Sequence, residues 1–89
     1  MTRGLVTVSN SAGLHARAAV KFVQLASSFQ SKVCLRRKSL EVNGKSILGI
    51  LQLGAAMGTQ LQLVIEGSDE TDAFARLKAL VEGGFGEGK

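Results

Sequence analysis

The apolar residues of this chain change period along its length, and that change limits the folds open to it. Val33 and Leu35 alternate with Lys32, Cys34 and Arg36; Leu40 and Val42 alternate with Ser39, Glu41 and Asn43; Leu61, Leu63 and Ile65 alternate with Gln60, Gln62 and Val64. A period of two sends one face of a strand to a core and leaves the other in water. Leu5-Val6-Thr7-Val8 is short and β-branched and reads as the first strand. From Ala16 to about Ser28 the spacing becomes helical, through Ala18, Ala19, Phe22, Leu25 and Ala26, with Phe29 just beyond. It becomes helical again at Ala73, Phe74, Leu77, Leu80 and Val81, in a helix opened by Ser68-Asp69-Glu70 as cap and stopped by Gly83.

Shorter signals connect these elements. Ser9 to Gly13 is a loop by composition, Arg37-Lys38 a hairpin connection, and Asn43-Gly44 a turn. Ile47, Leu48, Ile50 and Leu51 follow Ser46, whose hydroxyl can cap a brief helix; a buried strand is the alternative there. The order is β-α-β-β-α-β-α. It predicts an α+β fold, an open-faced β-sandwich, with a four-stranded antiparallel sheet and three helices on one face. Residues 1–89 are expected to form a single domain.

Composition removes several functions. With 45% hydrophobic residues the chain is too apolar to be disordered. A single Cys makes no internal disulfide, and one Cys with one His argues against a structural zinc site. No apolar run approaches the roughly 20 residues of a membrane span, and no secretory signal opens the chain, so a cytoplasmic protein without membrane insertion is expected. A domain this small has a thin core, so any activity should lie on its surface.

Charge is divided unevenly. Residues 1–50 hold eight basic residues against Glu41 alone, a net +7, whereas residues 51–89 hold three against six acidic, a net −3. A basic half invites an acidic partner, although a solvated mixed surface would have the same composition. Arg36-Arg37-Lys38 reads as a solvated hairpin tip. No Tyr or Trp is present to stack on bases, which argues against nucleic acid. Cys34, on a strand, reads as an inert thiol.

His15, the only histidine, lies between a Gly-containing loop and the first helix, in Gly13-Leu14-His15-Ala16-Arg17. A helix N-terminus offers unpaired N–H groups and partial positive charge to an anion. Arg17 adds a full charge and a fork of donors in the same turn. A neutral imidazole is a nucleophile, so the pattern suits a phosphohistidine better than hydrolysis; a His that only caps the helix is the plainer alternative. No second His and no placed carboxylate is seen to complete a triad or dyad. Ser46 reads as an N-cap or, alternatively, as a phosphoacceptor at a helix start. Ile47, Leu48 and Leu51 are apolar nearly all round a short helix and so form a candidate partner-binding patch.

Asn10-Ser-Ala-Gly13-Leu14-His15-Ala16-Arg17 resembles the active-site motif of the HPr family, the histidine-containing phosphocarriers of the bacterial phosphotransferase system. Lys45-Ser46-Ile47-Leu48-Gly49-Ile50 resembles that family's regulatory serine segment, and the likeness extends over essentially the whole chain. The resemblance implies an open-faced β-sandwich. It implies that His15 takes a phosphoryl group on Nδ1 from phospho-enzyme I and passes it to a histidine of an enzyme IIA protein. By the same resemblance Arg17 neutralises the phosphoryl group, and Ser46 is the target of an ATP-dependent HPr kinase/phosphorylase. A monomer acting as carrier, not an enzyme in the usual sense, and needing no cofactor is expected. A regulatory member of the nitrogen-related branch, or a corepressor-type binding module, is the alternative. One position departs from the pattern: Ala18 stands where the family commonly has Pro. Pro would pre-set φ in the first turn, so the rigidity of the loop-to-helix junction is what the change puts in question.

Overall fold

The computed structural model describes residues 1–87. Strand β1 spans Thr2–Thr7, helix α1 Ala16–Ser27, β2 Lys32–Arg37, β3 Leu40–Asn43, α2 Ile47–Gln52, β4 Gln60–Glu66 and α3 Glu70–Glu82, followed by a 3₁₀ turn at Gly84–Gly86. The four strands form one sheet in the order β1-β4-β2-β3, antiparallel at each pairing. This is the expected α+β open-faced sandwich. The segment after Ser46 is a helix and not the alternative strand.

Register carries the alternation through the sheet. Gly4, Leu63, Leu35 and Val42 lie side by side in one row, and Leu5, Gln62, Arg36 and Glu41 in the next. The first row faces the helices; Leu35 and Leu63 are fully buried. The second row faces away, and there Leu5 is 55% exposed. Phe22, Ala18, Ala19 and Ala26 of α1, Ile50 of α2, and Ala73, Leu77 and Val81 of α3 close the core over the inner rows. Gly4 admits the Phe74 ring, whose tip lies 2.9 Å from where a Cβ would stand.

Four local readings change. β1 begins earlier than Leu5, and Val8 is buried past its end. Leu40 is 43% exposed, because it closes the hairpin on the edge strand, paired with Arg37. Arg37 is not a solvated hairpin-tip residue: its guanidinium donates to the carbonyl of Leu53 (2.7 Å) at the end of α2, where orphan carbonyls favour a cation. The turn itself is Lys38-Ser39, with Lys38 at φ 57°.

Asp69 also differs from expectation. It stands at the N-cap position of α3 but makes no side-chain cap bond. Its carboxylate accepts from the backbone N–H groups of Gln30 (2.9 Å) and Ser31 (3.0 Å) and from the Ser31 hydroxyl. Asp69 thus pins the α1–β2 connection to the start of α3. Glu70 and Asp72 still place negative charge in the first turn, as expected.

Candidate functional site

The loop before α1 is shaped by Gly13. Its φ is +69°, and a Cβ there would lie 2.5 Å from the Ala55 carbonyl oxygen. The next residue, Leu14, is buried, and its N–H donates to that same carbonyl (2.9 Å). This fastens the loop to the segment after α2 and sets His15 at the N-cap of α1.

His15 caps with its ring. The N–H of Arg17 donates to His15 Nδ1 (3.2 Å), so Nδ1 offers a lone pair toward the helix start. The other ring nitrogen, Nε2, faces the Glu87 carboxylate at 2.8 Å. An ionised carboxylate only accepts, so this bond places the ring proton on Nε2. The two contacts agree on one tautomer and leave Nδ1 as the nucleophilic atom. His15's side chain is 31% exposed and Glu87's 15%, so the ring is open to a partner while the carboxylate is tucked behind it.

Glu87 is the residue sequence reasoning missed; the Gly-rich tail gave no placed carboxylate. The tail is in fact docked. Phe85 is buried in the core at φ 58°, and its carbonyl accepts from Lys21 Nζ (2.8 Å). Ser9 donates to the Glu82 carbonyl (2.8 Å), and buried Asn10 donates through Nδ2 to Gly13's carbonyl (2.8 Å) and Glu87 Oε1 (3.2 Å). Partial burial works against the Glu87 carboxylate. Hydrogen bonds from His15 and Asn10, with the nearby charge of Lys21, outweigh it and hold the carboxyl below its usual range. A lone aromatic residue within a Gly-rich tail was the available signal that the tail folds back. The last two tail residues, Gly88 and Lys89, lie outside the described residues.

Arg17 is exposed, two residues past His15 in the first turn of α1, and its guanidinium forms no ion pair among the described residues. Ala18 is fully buried, and α1 runs unbroken from Ala16 with Ala18 in place of Pro.

Ser46 is the N-cap of α2, as read from sequence. Its Oγ accepts from the Gly49 N–H (3.1 Å), and Asn43 and Lys45 brace it: the Asn43 side chain accepts from the Lys45 N–H (2.9 Å) and Lys45 Nζ donates to the Phe29 carbonyl (2.9 Å). Leu48 is 74% exposed, and Ile47 and Leu51 are exposed beside it, whereas Ile50 is buried. Helices α1 and α2 pack together, so this patch and the His15 end lie on neighbouring elements. Cys34 sits half-buried on the outer sheet face; desolvation, then the charge of Glu41, pushes its thiol pKa up, as suits an unreactive thiol.

A family model described as "PTS HPr component phosphorylation site" matches residues 3–83. The chain belongs to the HPr family. It is 45% identical over 89 residues to the phosphocarrier protein HPr of Neisseria meningitidis serogroup A, covering all of both chains. Its fold superposes on the crystal structure of HPr-C-His from Thermoanaerobacter tengcongensis with a TM-score of 0.95, at 42% identity and full coverage of both. An HPr dimer from the same organism matches with a TM-score of 0.78 at 42% identity, covering 98% of this chain and 100% of that one. In HPr terms this chain is a phosphocarrier component of the phosphotransferase system, not a catalyst in the usual sense. Among the described residues no helix is long and apolar enough to cross a membrane.

Proposed function

We propose that this HPr-family chain carries a phosphoryl group on His15 between two protein partners in the cytoplasm. The observation that carries the reading is the ring's placement: Nδ1 presents its lone pair to the N-terminus of α1 while Nε2 is held from behind. Phospho-enzyme I is the donor. The His15 Nδ1 lone pair attacks phosphorus, and the donor's leaving nitrogen takes the electrons of the bond that breaks. The incoming oxygens replace the Nδ1 lone pair as acceptors for first-turn N–H groups, which lack intrahelical carbonyls. Ala18 keeps one such N–H that Pro would not have. Arg17 swings its unpaired guanidinium onto the group and neutralises it. A histidine of an enzyme IIA protein then takes the phosphoryl group.

Ile47, Leu48 and Leu51 supply the apolar ground on which both partners dock in turn, within a basic half suited to acidic surfaces. Ser46 is the regulatory position, modified by an HPr kinase/phosphorylase. A phosphate there sits at a helix start and need not unfold it; it instead sets negative charge within the docking ground.

Incubation with phosphoenolpyruvate and enzyme I tests the carrier reading. The wild type should gain acid-labile, alkali-stable phosphate and His15→Ala none. Equal labelling of both chains, or no labelling of either, contradicts it.

A further inference from the structure

The carboxylate behind His15 is built with more care than a chain end requires. Glu87 lies 72 positions from His15 and reaches it because Phe85 anchors the tail in the core, Lys21 holds the Phe85 carbonyl and Asn10 holds Oε1. Asn10 is itself buried, and its remaining oxygen, Oδ1, has no partner among the described residues. Turning the amide over would point that oxygen at both the Gly13 carbonyl and the Glu87 carboxylate, so the amide's orientation ties the loop and Glu87 together beside His15. Among the described residues the charged groups near the pair are Lys21, which bonds the tail, and Arg17, in the first turn of α1; both are on α1.

We propose that Glu87 is a positioning residue for His15, holding the proton on Nε2 while Nδ1 gains and gives up the phosphoryl group. The inference rests on the phosphocarrier reading above. When Nδ1 forms its bond to phosphorus, the ring has a phosphoryl group on one nitrogen and a proton on the other, and it carries positive charge. The Arg17 N–H can no longer donate to Nδ1 in that state, so Glu87 becomes the ring's remaining tether. Its carboxylate neutralises the ring and keeps the Nε2 proton in place. On release, the bond to phosphorus breaks and its electron pair returns to Nδ1. Because Nε2 is still protonated, the leaving group is neutral imidazole and not an imidazolate anion, and no further proton is needed. The two nitrogens point to different sides of the ring, so the carboxylate and the phosphoryl oxygens are separated by the positive ring.

The test uses full-length protein with ¹⁵N-labelled imidazole, as wild type, Glu87→Gln and Glu87→Ala, phosphorylated in parallel by enzyme I and by phosphoramidate, a small-molecule donor. NMR follows the protonation of Nε2 in the phosphorylated ring against pH. Both variants should lose the Nε2 proton at a pH lower than wild type by roughly one unit. Both should also exchange phosphoryl groups with enzyme I about 10- to 100-fold more slowly, by analogy with the loss when a carboxylate behind a metal-bound histidine is removed. A merely structural tail would move neither the ring's protonation nor the rate in Glu87→Gln, which keeps the side chain's size. An unchanged midpoint in both variants overturns the proposal, as does a phosphoryl group found on Nε2. Should enzyme I fail to load the wild type while the phosphoramidate-loaded ring still depends on Glu87, the carrier reading alone fails.

Discussion

Glu70 gathers the N-terminal strand onto α3. Its Oε2 accepts from the Thr2 hydroxyl (2.6 Å) and pairs with the terminal ammonium of Met1 (2.9 Å), while Oε1 accepts from the Gly67 N–H (3.2 Å). The Thr2 bond first, then the terminus and the Gly67 N–H, bring its pKa down from 4.5 to about 2. A depressed carboxylate stabilises the fold above its unfolded value and loses that contribution as pH falls through its folded value. Melting temperature should therefore drop as pH falls from 4.5 toward about 2. Asp69, lowered mainly by the Ser31 hydroxyl, pulls the same way. In Glu70→Gln the drop should be shallower and the chain less stable at neutral pH; a profile parallel to wild type would remove Glu70 from the account. The place of His15 and Arg17 at the start of α1 was legible at this same scale, because a Gly-containing loop gives way to helical spacing at Ala16. Glu87 was not, since the contact that matters spans most of the chain.

Each strand and helix was legible where its periodicity was clean. β2, β4 and α1 match their patterns because one face alone meets the core. The pattern could not say that Leu40 stays exposed at the edge hairpin, nor that Asp69 serves residues 30–31 in preference to its own helix; both depend on which elements become neighbours. The terminal 3₁₀ turn is the element whose role was least visible. Truncating its anchor, Phe85→Ala, removes a fully buried ring, and should cost about 3 kcal/mol in chemical denaturation while freeing the Glu87 carboxylate from His15. A loss near zero would mean that the tail is not docked. For α2, Ser46→Ala removes the cap bond to Gly49 and should cost about 1 kcal/mol. Ser46→Asp should slow phosphorylation of His15 more at low salt than at high salt, because exposed charges are screened within about 10 Å at 0.1 M. Equal slowing at both salts would point to a change of shape in its place.

At the scale of the whole molecule, the fold places chemistry on one end and leaves the sheet's far face open. Three separate segments meet at His15: the β1–α1 loop through Asn10 and Gly13, the first turn of α1, and the chain's own tail. The His15 side chain is 31% exposed, which suits the proposed carrier role, in which each partner would bring its own half of the transfer. The uneven charge read from composition gains a place here: His15, Arg17, Lys21, Lys45 and Ser46 all belong to the basic half.

The central claim is that phosphoryl transfer runs through one nitrogen of one ring, and phosphorus–nitrogen coupling reads it directly. Protein labelled with ¹⁵N in the His15 imidazole is phosphorylated with phosphoenolpyruvate and enzyme I, and the coupling of ³¹P to each ring nitrogen is recorded. Coupling to Nδ1, with Nε2 still bearing a proton, is the result predicted from the Arg17 and Glu87 contacts. Coupling to Nε2, or phosphorus bound anywhere but His15, would contradict it.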